Sequence, residues 1–308
     1  MEIALELSNI SKSYPGTLAL NKVSFKVKKG SIHGFLGPNG AGKSTCMKII
    51  SGLLVPTSGN VTIFGLPEVA QEKIGFLPEN PPLYSAMKVK EYLKFVLDIR
   101  TLKGSHGFTV DEILHDCGLT QVADRAVGNL SKGYKQRVGI AQALIHNPEI
   151  IILDEPTVGL DPVALDEMRT FIKSLKHKHT VLLSTHLLHE VKLMCDEITI
   201  INKGHIVESG PIEDIQRKYT PRQIVNAQIK IWNDVWQKEM EMMFDLEVVK
   251  REFVNSIYTV ECMSRTGKDT RDDISRYFIQ KNAGLIGLSE KEQSLEDLFK
   301  VATSGDAR

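Results

Sequence analysis

The sequence predicts an α/β protein: a largely parallel sheet built around a phosphate-binding loop, followed by a small C-terminal α+β domain. Three observations carry that prediction. A continuous apolar run at 32–36 leads directly into GPNGAGKST and then into a helical stretch, the pattern of a buried strand feeding a loop and a helix. Strand and helix patterns alternate from EIIILDEP to EITIINKG, which implies parallel strands covered by helices. Beyond KYTPRQ the order changes to strand, helix, strand, strand, helix, strand, which suggests a ferredoxin-like arrangement.

Taken in order, the N-terminal part reads as β-rich, with alternating runs at 3–10 and 23–27. CMKIISGLL after the loop is a helix, and VTIF and IGFL are short strands. From 89 to 147 the pattern is helical: VKEYLKFVLDI, VDEILHDCG and SKGYKQRVGIAQALIH space apolar residues three and four apart. EIIILDEP, TVLLSTH and EITIINKG are strands, with LDEMRTFIKSL and LLHEVKLMC as the helices between them. A boundary falls at 218–223. Past it IVNAQIKI, LEVVKREF, SIYTVECM and GLIGLS read as strands, NDVWQKEMEMMF and TRDDISRYFIQKN as helices. SLEDLFKVAT is expected as a closing helix, with Ser294 as its N-cap. Met240, Met242 and Met243 beside Trp236, and Trp232 with it, are expected as core or interface filler.

Composition narrows the function classes. The chain has 308 residues, 42% hydrophobic and 25% charged, which fits one large folded domain and a smaller one. Formal net charge is zero, so nothing global argues for nucleic acid or an anionic membrane as partner. Cys46, Cys117, Cys195 and Cys262 lie far apart with no CxxC pair, which favours buried thiols in a reducing compartment over disulfides or zinc. The N-terminus carries acids and alternates in polarity, unlike a signal peptide. No apolar stretch approaches the ~20 residues needed to cross a bilayer. The expectation is a cytosolic chain that does not span a membrane by itself.

Gly37, Pro38, Asn39, Gly40, Ala41, Gly42, Lys43, Ser44 and Thr45 match GxxxxGK[ST]. In such a loop the glycines let backbone N–H groups converge on phosphate oxygens, and Lys43 reaches the β and γ phosphates. Ser44 can place its hydroxyl on Mg²⁺. The chain is therefore expected to bind a nucleoside triphosphate. IIILDEP ends a buried strand on two acids: Asp154 suits the Mg²⁺ shell, and Glu155 suits a general base acting on water. His186 ends the next strand, TVLLSTH, on the same edge, where it could contact the γ phosphate. In FLPENPPLY, Pro78, Pro81 and Pro82 each fix φ and remove a donor, stiffening a loop that carries Glu79.

Together these residues resemble the nucleotide-binding subunit of ATP-binding cassette (ABC) transporters over residues 2–217. The distinguishing mark is LSKGYKQR, 130–137, which looks like the family's LSGGQ signature. The resemblance implies the ABC-ATPase form of the phosphate-loop fold: a parallel core sheet, an antiparallel β subdomain and a helical subdomain at about 85–147, within an ATPase domain spanning 1–218. The C-terminal domain would occupy 223–308. It implies two subunits, identical or paralogous, paired head to tail, so that Ser131 and Gly133 contact nucleotide in trans. Tyr14 matches the aromatic that stacks on adenine, Asp161 in VGLDP matches the D-loop acid reaching across the dimer, and His186 matches the switch histidine. Lys132 and Tyr134 depart from the signature consensus, and Glu79 stands where the family has a glutamine that touches Mg²⁺ and the attacking water. LPEN with LSKGY is similar to a bacterial export-type subgroup that includes gliding-motility and multidrug-type ATPases.

The function expected is hydrolysis of ATP, with Mg²⁺, by a subunit that drives a separate membrane permease from the cytoplasmic face. Two alternatives stay open at this point: a soluble ABC-type ATPase acting on a non-transport partner, and an ATP-binding module with weak hydrolysis. The first usually needs paired cassettes or coiled-coil insertions, which this chain lacks. Against the second stand Glu155 and His186. The C-terminal domain is expected to be a regulatory or dimer-stabilising module.

Overall fold

In the computed structural model, residues 2–66, 71–101, 107–176, 178–219, 224–265 and 269–291 are described. The chain divides into two compact units between Ile215 and Gln216. The first opens with β1 (Ile3–Tyr14), β2 (Thr17–Lys28) and β3 (Ile32–Leu36), then α1 (Lys43–Ile50), β4 (Ser58–Ile63) and β5 (Ile74–Leu77). Three helices follow: α2 (Val89–Thr101), α3 (Val110–Asp116) and α4 (Lys132–Leu144). Then come β6 (Ile150–Asp154), α5 (Pro162–Leu175), β7 (Thr180–Thr185), α6 (Leu188–Met194), β8 (Glu197–Asn202) and β9 (His205–Pro211), and the division between the units falls within α7 (Ile212–Tyr219).

Two sheets organise this unit. β2, β1 and β4 form an antiparallel sheet in that order, while β5-β6-β7-β3-β8-β9 form a six-stranded sheet. Its first five strands run parallel; β9 is antiparallel to β8 and was not anticipated from HIVESGP. The continuous apolar runs arise because both faces of the parallel strands are covered. Ile150 and Ile152 of β6 point into a core shared with α1 and the antiparallel sheet. Their neighbours Ile151 and Leu153 point into a second core with helices α2 to α5. Alternation along a strand sends successive side chains to opposite faces, so in β6 every position up to Leu153 is apolar.

Local signals set the helix starts. Thr109 and Glu112 form a reciprocal capping box at α3. Ser131 caps α4, accepting from the Tyr134 N–H at 3.4 Å, and Asp161 caps α5, accepting from Val163 and Ala164 at 3.1 and 3.0 Å.

Burial disfavours the charged form of three histidines in this unit, His33, His146 and His179. His33 pairs its Nε2 with Thr199 Oγ1 at 2.8 Å, and burial, with Lys28 nearby, pushes its pKa down to about 3. His146 places Nε2 3.1 Å from the Ile74 carbonyl, and burial pushes its pKa down to about 4, helped by the Arg100 charge. Cys46, Cys117 and Cys262 are buried and Cys195 half-buried, all as free thiols.

The second unit contains β10 (Ile224–Ile229), α8 (Asp234–Met243), β11 (Leu246–Val254), β12 (Ile257–Ser264), α9 (Arg271–Gln280) and β13 (Leu285–Lys291). Its sheet is ordered β11-β12-β10-β13 with every neighbouring pair antiparallel. Val225, Ala227 and Ile229 of β10 share a core with Met240 of α8 and with Ile274, Tyr277 and Phe278 of α9. Trp232 and Trp236 pack on Phe278 at 6.4 and 6.5 Å between ring centroids. Of the methionines expected as core or interface filler, Met240 joins this core, whereas the helix turns Met242 and Met243 away from it and leaves them exposed. The expected closing helix from Ser294 lies outside the described residues.

Candidate active site

All five parallel strands end at one edge, and the residues beyond their carboxyl ends line a cleft of about 690 Å³. β3 contributes Asn39, Gly40 and Gly42 to Thr45; β5 contributes Glu79, β6 Glu155, β7 His186 and β8 Lys203 with Gly204. Thr17, Leu18 and Ala19 of β2 complete the wall.

The phosphate loop is held by close backbone packing. Gly42 precedes α1 with φ 105°, and a Cβ there would lie 2.7 Å from the Ala19 carbonyl oxygen. At Gly37 a Cβ would lie 2.5 Å from the Ile201 carbonyl oxygen. Gly37 N–H donates to the Thr185 carbonyl at 3.3 Å, fixing the loop's start to the end of β7. Lys43 is almost fully buried: its ammonium donates to the Gly37 carbonyl at 2.8 Å and lies 3.3 Å from Glu155 Oε1. Cys46, just behind, is an inert neighbour, since burial pushes its thiol pKa up.

The acid pair is braced by β7. Ser184 donates its hydroxyl to Asp154 Oδ1. Glu155 N–H donates to that same hydroxyl oxygen at 3.1 Å and to the Ser184 carbonyl at 3.2 Å. Glu155 has φ 50°, a left-handed conformation costly for a residue with a Cβ. Its carboxylate sits between Lys43 and His186, whose Nδ1 lies 3.0 Å from Oε2. A cation, a buried carboxylate and an imidazole are therefore linked in a row at the mouth of the phosphate loop. Such a row can hold phosphate charge on one side and orient a water beside it.

A sequence model of the family described as "ABC transporter" matches residues 20–158. The bacitracin transport ATP-binding protein BcrA of Enterococcus faecalis is 32% identical over 317 aligned residues, covering 99% of this chain and 98% of the relative. The chain belongs to the ABC transporter family as an ATP-binding subunit. The lantibiotic transport ATP-binding protein SrtF of Streptococcus pyogenes is 40% identical over 206 residues, 66% of this chain and 89% of that one. Among solved structures, an ATP-binding subunit of an ABC transporter matches 70% of this chain and 93% of its own length, at 31% identity and TM-score 0.61. A dimeric ABC cassette in a post-hydrolysis state, bound to ADP and Pi, matches 68% of this chain and 98% of its own length, at 27% identity and TM-score 0.61. The cassette is an ATPase that works within a membrane transporter. Among the described residues, no helix is long and apolar enough to cross a membrane.

Within this cassette the expected residues separate into two groups. Asn39, Gly40, Gly42, Lys43, Ser44, Thr45, Glu79, Glu155 and His186 share the cleft. Gly37, Pro38 and Ala41 form the loop's back, and Asp154 lies buried behind Glu155. Tyr14, Ser131, Gly133 and Asp161 do not line it. Tyr14 is partly exposed at the end of β1, paired with the cleft residue Thr17. Ser131 and Gly133 begin α4, where Gly133 faces Ala164 of α5.

Sequence reasoning missed Ser184, which braces both acids, although its place before Thr185 and His186 in TVLLSTH was a usable signal. It also missed the β8–β9 turn. Lys203 and Gly204 have φ 46° and 79°, and the NKG tripeptide signals such a hairpin turn but not its position in the cleft.

Proposed function

We propose that the cassette hydrolyses ATP with Glu155 directing water at the γ phosphate and Lys43 and His186 stabilising the charge that develops there. The observation that carries this is the Lys43–Glu155–His186 row, with Glu155 held in a left-handed conformation. In this reading the loop Gly37–Thr45 cradles the phosphates and Tyr14 stacks on adenine.

The donor set fits Mg²⁺. Ser44 and Glu79 offer oxygens to the cleft, and Asp154 has one oxygen engaged by Ser184. Few protein oxygens on one side of a phosphate site suit an ion that keeps waters and is shared with substrate phosphates. Bound there, Mg²⁺ would neutralise phosphate charge.

Because Ser131, Gly133 and Asp161 stand outside the chain's own cleft, their proposed targets lie on a second cassette. Two copies, or this chain and a paralogue, would close on two ATP molecules, the signature of each covering the nucleotide of the other. A likeness to a dimeric cassette supports this. Residues 1–218 would be the ATPase domain and 223–308 an accessory module. The permease would receive the stroke at the loop from Pro78 to Tyr84, and the bacitracin and lantibiotic relatives favour export. The subunit would then sit on the inner face of the cell membrane.

Glu155→Gln tests the assignment. A positioned general base contributes about 10²- to 10⁴-fold, so phosphate release should fall by at least ~100-fold while ATP-dependent dimers accumulate in size-exclusion chromatography. Wild-type phosphate release would remove Glu155 from the role of base.

A further inference from the structure

His186 occupies a one-residue link. Thr185, before it, is the last residue of β7, and Leu187, after it, is the N-cap of α6. The Leu187 N–H donates to Thr185 Oγ1 at 3.0 Å, so the start of α6 sets the direction in which His186 leaves the strand. α6 has only seven residues, too few to be stable without tertiary support. Its support comes from two sides. On one, it lies flush on β3 at Gly34, where a Cβ would meet Cys195 Sγ at 3.0 Å and Val191 at 3.1 Å. On the other, Glu190 of α6 is buried and receives a fork from Arg169 of α5. Arg169 Nε donates to Glu190 Oε2 at 3.0 Å, and Nη2 donates to Oε1. Nη1 donates to Asp166 at 2.6 Å, which fixes the guanidinium from its own helix. α5 is a 14-residue platform anchored by Met168, Phe171, Ile172 and Leu175.

We propose that the Arg169–Glu190 fork is a positioning device that holds His186 against Glu155 by locking α6 to α5. The inference rests on the catalytic role given to His186 above. A bidentate guanidinium–carboxylate pair fixes both distance and angle, which a single ammonium contact does not. Because Glu190 is buried, the alternative to this contact is movement of α6 toward water, which carries the imidazole away from Glu155.

The test uses phosphate release by the purified full-length chain, with kcat and KM for ATP measured separately. Arg169→Gln alone strands a buried carboxylate and can unfold the chain, so the informative variant is Arg169→Gln with Glu190→Gln, which removes both charges together. Its kcat should fall at least tenfold with KM within twofold of wild type. Arg169→Lys keeps the charge but not the fork and should fall between the two. In a His186→Ala background the double substitution should change the residual rate by less than twofold. A double variant with wild-type kcat, or one that loses as much in the His186→Ala background, overturns the inference. Wild-type turnover in His186→Ala itself would instead remove the reading beneath it.

Discussion

In the cassette, Lys43, Asp154 and Glu155 are each almost fully buried and gather at one strand edge, whereas the polar side chains buried in the described part of the C-terminal unit are two hydroxyls, Ser264 and Thr270. Burying a charge costs several kcal/mol unless it is paired and hydrogen-bonded. At the cleft the cassette offsets that cost by pairing: Lys43 with Glu155, Glu155 with His186, Asp154 with Ser184. The C-terminal unit is stabilised by an apolar core around Phe278 and, among its described residues, carries no such set. Among the described residues, buried charge thus distinguishes the cassette from the C-terminal unit.

The largest effect should come from opening that set. Lys43→Ala removes the cation from Glu155 and from the phosphates. Charge-assisted hydrogen bonds contribute ~1.5–3 kcal/mol, so ATP affinity should fall about 10- to 100-fold. The carboxylate left behind should also lower stability by about 3 kcal/mol. Unchanged affinity in a fluorescent-nucleotide titration would mean that the buried cation serves packing alone.

Phe278→Ala makes the opposite cut. Phe278 is fully buried, and its loss should cost the C-terminal unit ~3–5 kcal/mol. Both tryptophans of the chain, Trp232 and Trp236, pack on it, so their fluorescence reports unfolding of this unit selectively. ATP affinity should stay within twofold. A matching loss of affinity would show that the cassette depends on the second unit to form its cleft.

How much of this was legible varies with the physics behind each feature. Apolar runs such as Ile150 to Leu153 were readable as strands because both faces are covered, which leaves an uninterrupted pattern. The phosphate loop and the acid pair were readable because their chemistry needs contiguous residues. β9 was not, since HIVESGP is only partly buried and gains its place by hydrogen-bonding to β8 rather than by burial. Ser184 and Lys203 were missed for a related reason: each acts through neighbours distant in sequence. The expected trans residues Ser131, Gly133 and Asp161 followed from family likeness alone, since in one chain Ser131 and Asp161 are helix caps.

Acid separates the units more gently. His33 and His146 are neutral in the fold, with pKa values pushed down to about 3 and about 4, and no histidine lies beyond His205. Below pH ~6.5 the unfolded chain takes up protons that the folded cassette refuses, so stability falls as pH falls. The slope approaches about 1.4 kcal/mol per pH unit for each histidine, or about 3 kcal/mol in total from pH 6.5 to 5. The denaturation midpoint followed by far-UV circular dichroism should therefore drop further over this range than the midpoint followed by tryptophan fluorescence. Equal shifts would place the proton-linked groups elsewhere.

The smallest effect concerns Glu79, the one acid of the cleft that is exposed. Its backbone carbonyl accepts from the buried Gln136 amide at 3.5 Å. At Gly139, one turn further along α4, a Cβ would lie 3.1 Å from Pro81 and 2.5 Å from Leu77. Pro81 and the Glu79 carbonyl therefore hold the loop's backbone against α4 while the Glu79 side chain stays exposed at the cleft. Glu79→Gln keeps the side chain's shape and one oxygen acceptor but removes a charge. An exposed carboxylate contributes little to a screened ion, so the Mg²⁺ concentration for half-maximal phosphate release should rise about two- to fivefold, with ATP affinity unchanged. Unchanged Mg²⁺ dependence, with unchanged transport-coupled activity, would reduce the loop to a strand terminator. The cleft's function would then rest on its buried charges alone.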